Sequence, residues 1–560
     1  MILTGADIIV KTLIEQGVET VFGYPGGQII NVYDSLYKYS DEIKHVLTAH
    51  EQGAVHAADG YARTTGKVGV VMSTSGPGAT NLVTGIATAY LDSIPLVAIC
   101  GNVPTSQIGS DSFQEIDITG ITLPITKHNY LVDSVEKLAD TIREAFRLAK
   151  SGRPGPVLID VPKDIQIAKC EYTVHEPVEA DEKLICEEVE EAVECIKESK
   201  KPFIYFGGGV IASHAEDEIL ALAELIDAPV GCSLMGISAL PTNHPRFLGM
   251  QGMHGHYASS MAMHNADCII SLGVRFNDRV TGNKAKFAQT AKIIHIDVDS
   301  AEFSKNVKAT HALFGDVERT LRKIISLLEK KERPEWAEEV EKYKRKEEEI
   351  SDTREGMTPK NIIGMLNSHL DADTPIATDV GQHQMWTAQY AQFSHTRRFV
   401  SSGGLGTMGF GLGAAIGAQM GTGKRTVLVT GDGSFGMCLN ELATAVTNKN
   451  PIVILLLNNG VLGMVRQWQT LFFDKHYSNT VLERKTNFVD LAKAFGADAM
   501  TADTPQQLEE ALTKAFSCDG PFLIDCAIDK DEFVLPMLPP GGSMDDMIVK
   551  VGEKRCLSIQ

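Results

Sequence analysis

The 560 residues are enough for about three domains, each able to bury its own core. With 52 Lys and Arg against 72 Asp and Glu, the net charge of −20 repels nucleic-acid phosphates and anionic lipid, which argues against either partner. A hydrophobic content of 43% with 22% charged residues excludes a mainly disordered chain. The most apolar run, residues 451–457, falls far short of the roughly 20 residues that span a bilayer, so no membrane span is expected. The N-terminus has no basic or Arg/Ser-rich leader, so a cytoplasmic protein is expected. Ten cysteines, at 100, 170, 186, 195, 232, 268, 438, 518, 526 and 556, show no C-x-x-C pair and read as reduced thiols.

From residue 5 to 153, short apolar runs at 68–72, 96–100 and 157–161 alternate with amphipathic stretches, the pattern of an α/β domain with a parallel sheet. A polar, acidic and partly helical stretch over 171–198 puts the first boundary near 165–190. The alternation resumes: 202–206 runs into Gly207, Gly208 and Gly209, 268–272 into Gly273, and 293–298 into Asp299, each turn able to approach a ligand. Residues 328–356, dense in Glu, Lys and Arg, read as a solvated helix or connector. A last α/β block starts near Thr358, with no short-period repeat across the three. The expected domains are 1–165, 190–330 and 358–560.

Residues 426–464 carry the sharpest signal. A strand over 427–430 meets the turn Gly431-Asp432-Gly433, a helix is expected from Ser434 to Asn448, and a strand over 451–457 ends in Asn458-Asn459-Gly460. The right-handed βαβ crossover brings both strand ends to one sheet edge, so Asp432 and Asn459 can converge there. A carboxylate, an amide oxygen and a main-chain carbonyl, assigned to Val461, suit Mg²⁺, which takes oxygen ligands and completes its octahedron with phosphate oxygens. The two glycines let N–H groups approach a diphosphate, and Ser434 opens a helix N-terminus that favours an anion.

Gly-Asp-Gly-Ser followed by Asn-Asn after one helix and one strand resembles the thiamine diphosphate (ThDP) fingerprint. In that light, residues 50–63 are similar to the family segment whose glutamate, here Glu51, hydrogen-bonds the aminopyrimidine ring and starts its proton chemistry. Further stretches narrow the resemblance to the FAD-containing acetohydroxyacid (acetolactate) synthases: F-G-Y-P-G-G at 22–27, T-S-G-P-G-A-T-N at 74–81, S-F-Q-E-I-D at 112–117, G-R-P-G-P at 152–156, G-V-R-F-N-D-R-V at 273–280, G-Q-H-Q-M-W at 381–386, S-G-G-L-G-T-M-G at 402–409 and G-M-V-R-Q-W-Q at 463–469. They span nearly the whole chain.

The resemblance implies a pyrimidine-binding, an FAD-binding and a diphosphate-binding α/β domain, with ThDP held between two subunits of a homodimer or homotetramer. It implies decarboxylation of pyruvate and transfer of the two-carbon unit to pyruvate or 2-oxobutyrate, in branched-chain amino-acid synthesis, with a separate regulatory small subunit. Its cofactor residues map to Tyr24, Pro25, Gly26, Glu51, Thr74, Pro77 and Asn81 on the pyrimidine side. On the diphosphate side they map to Val380, Gly381, Gln382, His383, Gly406, Met408, Gly431, Asp432, Gly433, Ser434, Asn459 and Met464. FAD, structural because the condensation has no net redox change, would meet Arg153, Gly207, Gly208, Gly209, Ser233, Leu234, Met235, Met253, His254, Gly255, Gly273, Arg275, Asp297 and Asp316. Arg279 would pair the acceptor carboxylate and Trp468 would favour 2-oxobutyrate, while Phe113, Gln114 and Lys163 would line the channel from the partner.

The chain departs from the family at Gln28 (usually Ala), which bears on the channel near the cofactor, and at Asn277 (commonly Asp), which bears on one flavin contact. It also departs at Gly413 (commonly Pro) and Gly436 (usually a longer polar residue). Rival readings are a flavin-dependent pyruvate oxidase or 2-oxo acid decarboxylase of the same architecture, which Arg279 and Trp468 oppose, and a catalytically silent relative, which Glu51, Asp432 and Asn459 oppose.

Overall fold

The computed structural model describes residues 1–550. Cys556 and the last ten residues of the expected third domain lie outside the described residues. The chain builds three six-stranded parallel sheets, each flanked by helices. Their strands are apolar on both faces, as parallel sheets covered by helices on both sides require.

The N-terminal sheet uses, in chain order, Thr20–Gly23, Lys44–Leu47, Gly69–Ser73, Leu96–Asn102, His128–Leu131 and Pro156–Pro162. The C-terminal sheet uses Ile376–Thr378, Phe399–Val400, Thr426–Gly431, Ile452–Asn458, Asp498–Ala502 and Phe522–Ala527. Numbered from its own first strand, each has the spatial order 2-1-3-4-6-5. The two outer domains therefore repeat one topology that no sequence period announces. The middle sheet (Pro202–Phe206, Val230–Cys232, Phe247–Met250, Cys268–Leu272, Lys292–Asp297, His311–Phe314) has the order 3-2-1-4-5-6. Its chain reverses direction between Pro202–Phe206 and Cys268–Leu272, the switch point beside which open α/β sheets bind ligands.

Two features differ from the sequence expectation. The helix expected from Ser434 to Asn448 is broken into Asp432–Phe435, a 3₁₀ turn Leu439–Glu441 and Leu442–Thr447. Gly436 weakens the helix at the break, beyond which Cys438 takes φ −133°; the first turn starts at Asp432, so Ser434 is its third residue rather than its opening one. The charged connector forms the helix Pro334–Ile350, but it is not solvated all round. Trp336 and Val340 are buried against Phe203, Tyr205 and Met263 of the middle domain, and the indole N–H of Trp336 donates to Pro202 O at 3.0 Å.

The outer domains meet through two helices, Glu51–Thr65 and Gly411–Thr422, packed backbone to backbone. A Cβ at Gly417 would overlap the Ala57 carbonyl, one at Gly60 the Ala414 carbonyl, and one at Gly413 would lie 2.8 Å from Gly53 O. The departure at Gly413 thus matches a close helix crossing. Beside it the buried Arg63 pairs with Asp59 and with Asp92 (3.0 Å) and donates to Ser401 O at 2.8 Å. Asp92 in turn accepts the N–H groups of Gly403 and Gly404. Removing one member of such a buried ionic set costs about 3–5 kcal/mol.

Candidate active site

Glu51 is the first residue of the helix Glu51–Thr65, which enters through His50 in extended conformation and ends where Gly66 turns left-handed at φ 73°. Its carboxylate is half-buried and accepts the Asn81 side-chain N–H at 3.0 Å. The short helix Pro77–Asn81 carries that asparagine, and Gly78 keeps the approach to Glu51 open, since a Cβ there would lie 3.3 Å from Glu51 Oε1. Gly26 lies against Thr74, whose hydroxyl accepts the Gln28 N–H at 3.2 Å. Tyr24 is exposed, and Lys163 donates to Gly27 O at 3.0 Å. Gln114, at φ 61°, packs its backbone against the Gly76 turn, and Phe113 stands 83% exposed. These candidates all gather at the C-terminal edge of the N-terminal sheet. Gln28 buries its side-chain oxygen there without a hydrogen-bond partner.

At the equivalent edge of the C-terminal sheet, Asp432 begins the turn after Thr426–Gly431 and is buried. Burial raises its carboxyl to about 6, opposed by the N–H groups of Asp432, Gly433 and Asn459 and by the charge of Arg484. The main-chain N–H of Asn459, just past the end of the neighbouring strand Ile452–Asn458, is one of these donors, so the two strand ends do converge. The Asn459 side-chain oxygen accepts the Val461 N–H at 3.1 Å, and its amide nitrogen lies 3.4 Å from Gln382 Oε1. Gln382 is held by Gln467 (3.0 Å) and Glu532 O (2.7 Å). His383 is buried and neutral, its pKa lowered to about 3 by desolvation, with Nε2 3.5 Å from Ser434 Oγ. Gly436 leaves space that Arg484 occupies: a Cβ there would meet Arg484 Nη1 at 2.7 Å.

A cavity of about 1550 Å³ opens among the three domains at the switch point of the middle sheet, with Arg63, Asp92 and Arg153 contributed by the N-terminal one. Every flavin candidate except Gly207 and Gly255 lines it. Gly209 and Gly273, from the two strands that flank the switch point, touch backbone to backbone, and Gly273 takes φ 53°. Asp297 is buried, its carboxyl raised to about 6 by desolvation. Asp316 caps the helix Val317–Ser326, and Arg153 is drawn to Asp299 (3.0 Å) and Glu302 (3.1 Å). His254 is neutral, lowered to about 4 by burial, and its Nδ1 has no hydrogen-bond partner. Asn277 lines the wall and caps the turn Asp278–Thr281 by accepting the Val280 N–H at 3.2 Å.

Arg279, Trp468, Val380, Gly381, Gly406, Met408 and Met464 share this cavity. The Arg279 guanidinium lies 5.8 Å from the centre of the Trp468 ring, with Nη1 3.8 Å from Met253 Sδ. The candidates on the N-terminal sheet, Glu51, Phe113, Gln114 and Lys163 among them, do not line it. Sequence reasoning missed two organising carboxylates. Asp379, buried after the strand Ile376–Thr378, accepts the N–H groups of Val380, Gly409 and Gly411 and so sets the loops that carry Gly381 and Met408. Glu441 reaches across domains to the Glu51 helix. A strand followed by Asp was the available signal for Asp379. Nothing local marks Glu441.

Among the described residues no three His, Cys, Asp or Glu side chains gather as metal ligands, and no helix is long and apolar enough to cross a membrane. The described cysteines are free thiols.

Three family models match the chain: the N-terminal TPP binding domain of thiamine pyrophosphate enzymes over residues 3–121, their central domain over 189–324, and their C-terminal TPP binding domain over 379–526. The chain is 43% identical over 568 residues to the acetolactate synthase large subunit of Buchnera aphidicola subsp. Schizaphis graminum (strain Sg), covering 99% of each. It is 43% identical over 574 residues to the acetolactate synthase isozyme 3 large subunit of Escherichia coli (strain K12), again covering 99% of each. Against the isozyme 2 large subunit of the same organism it is 44% identical over 555 residues, with 98% of this chain and 100% of that one covered. With three matched domains and relatives aligned end to end, the chain belongs to the thiamine pyrophosphate enzymes and, among them, to the acetolactate synthase large subunits.

Proposed function

We propose that the chain decarboxylates pyruvate and joins the remaining two-carbon unit to a second 2-oxo acid, giving 2-acetolactate from pyruvate and 2-aceto-2-hydroxybutyrate from 2-oxobutyrate, as in branched-chain amino-acid synthesis. One observation carries the reading: Arg279 and Trp468 stand together on the cavity that Gly381, Met408 and Met464 also line. A guanidinium there pairs an acceptor carboxylate bidentately, and an indole beside it offers apolar contact to an extra methylene.

Bound thiamine diphosphate supplies the sink for the electron pair left when CO₂ departs. Glu51, held by Asn81, is the group that would hydrogen-bond the aminopyrimidine ring and exchange a proton with it. The buried Asp432 carboxylate, the Asn459 amide oxygen and the Val461 carbonyl suit Mg²⁺, because a desolvated carboxylate beside neutral oxygens favours a hard cation. Gly431, Gly433 and Ser434 are taken to line the diphosphate; in this structure the Gly431 N–H turns to Ser434 Oγ at 3.4 Å and the Gly433 N–H to the Asp432 carboxyl. The switch-point cavity would suit FAD in a structural role: Arg153, Arg275 and the turns after Pro202–Phe206 and Cys268–Leu272 line it, and the buried His254 Nδ1 beside it has no partner.

Glu51 stands at the edge of the N-terminal sheet and Asp432 at the edge of the C-terminal one; as in the resemblance, each cofactor is taken to be shared between subunits of a homodimer or homotetramer. Phe113, Gln114 and Lys163 then reach the partner's channel. Residues 1–165 form the pyrimidine side, 190–330 the flavin domain and 358–560 the diphosphate side. The relatives are named large subunits, so a separate small subunit is the proposed regulatory partner.

The deciding experiment is acetolactate formation from pyruvate with ThDP, Mg²⁺ and FAD, with ThDP omitted as control. ThDP-dependent acetolactate is expected. Acetaldehyde or peroxide in its place, unchanged by an added small subunit, overturns the reading. Trp468→Leu is expected to lower the preference for 2-oxobutyrate by about 1–3 kcal/mol, seen as a shifted product ratio when both acceptors compete. An unchanged ratio removes Trp468 from acceptor choice.

A further inference from the structure

The helix that presents Glu51 is fixed at its entrance by the other end of the chain. We propose that Glu441 is a positioning residue for Glu51, an inference that rests on the role given to Glu51 above. Glu441 ends the 3₁₀ turn Leu439–Glu441 and is 1% exposed. Its Oε1 accepts the His50 N–H at 3.0 Å, and its Oε2 accepts the Ala49 N–H at 3.1 Å and the Thr444 hydroxyl at 2.6 Å. Thr444 Oγ1 also accepts the Ala49 N–H at 3.1 Å. His50, the residue before the helix, completes the entrance by accepting the Gln52 N–H on Nδ1 at 3.0 Å.

Three N–H groups at the helix entrance, those of Ala49, His50 and Gln52, are thus tied down, two of them by a carboxylate from the C-terminal domain. The fit leaves no slack. A Cβ at Gly53, one turn in, would overlap Glu441 Oε1. The sequence keeps glycine there although glycine inside a helix costs about 0.5–1 kcal/mol against alanine. Burial raises the Glu441 carboxyl, while Thr444, Ala49, His50 and the charge of His50 act in the opposite sense. Asn81 fixes the tip of Glu51 and Glu441 fixes the backbone from which it leaves. Proton transfer needs heavy atoms within about 2.6–3.2 Å, so a small tilt at this entrance is felt at the carboxylate.

Glu441→Gln tests the proposal, because the amide keeps one acceptor oxygen and turns an NH₂ against a main-chain N–H. Hydrogen exchange of the cofactor-free chain is expected to quicken about 10-fold or more in the peptide holding residues 49–51 and to stay unchanged in the strand Leu96–Asn102. In the loaded enzyme kcat is expected to fall about 10-fold or more, with KM for pyruvate and the ThDP dissociation constant within about 2-fold of the parent. Glu441→Asp should recover part of the loss. Thr444→Val, which removes one donor and one acceptor from the same cluster, should move both readouts the same way to a smaller extent, and decides the matter if Glu441→Gln does not fold. Unchanged exchange at 49–51, or a fall in cofactor affinity that parallels kcat, overturns the proposal. A parent chain that makes no acetolactate, with exchange still quickened in the variant, overturns the reading of Glu51 and not the coupling to Glu441.

Discussion

Glu51→Gln is expected to lower acetolactate turnover about 10²–10⁴-fold, the range that a positioned acid or base contributes, while leaving the fold and the binding of ThDP and Mg²⁺ intact. The substitution is nearly isosteric, and its amide oxygen can still accept the Asn81 N–H now made by the carboxylate at 3.0 Å. What it removes is the ability to hold and return a proton. A titration with ThDP checks binding, and the rate of acetolactate appearance checks turnover. Near-parental turnover would take Glu51 out of the mechanism. Loss of binding and turnover together would make it a binding group.

Asp432→Ala is expected to raise the ThDP dissociation constant measured with Mg²⁺ about 100-fold or more, because the remaining proposed ligands, Asn459 and Val461, offer only neutral oxygens to a doubly charged ion. Asp432→Asn keeps an oxygen but no charge and should fall between. Asp432 does not line the switch-point cavity, so flavin absorbance of the purified variant should match the parent. An unchanged dissociation constant would place the metal elsewhere. Joint loss of flavin would mean that the substitution disturbed the domain and not the ion.

Much of this was legible in the sequence because it is local. The apolar runs at 202–206 and 268–272 are the observed strands Pro202–Phe206 and Cys268–Leu272, and the others shift by a residue or two. A buried parallel strand is written in consecutive residues. The Gly-Asp-Gly turn and the Asn pair were readable for the same reason, and strand order then brings Asp432 and Asn459 together. The repeated 2-1-3-4-6-5 order was not readable, since topology constrains which faces are apolar and leaves the residues free. Nor was the break after Phe435, where Gly436 and the geometry at Cys438 outweigh the helical pattern. Trp336 lay hidden in a charge run whose composition speaks for its solvent face only. Glu441 depends on partners almost four hundred positions away, beyond the reach of any pattern read along the chain.

The crossing of Glu51–Thr65 with Gly411–Thr422 has a consequence for how such a chain can vary. Where side chains interdigitate, a change on one helix can be answered by a change on the other. At Gly60 and Gly417 the opposing surface is main chain, which has nothing to substitute. At these two positions the joint between the outer domains has no adjustable part. Variation in substrate range or control must enter through the loops at the sheet edges and the surfaces that face other subunits, while the spacing between the two halves is inherited whole.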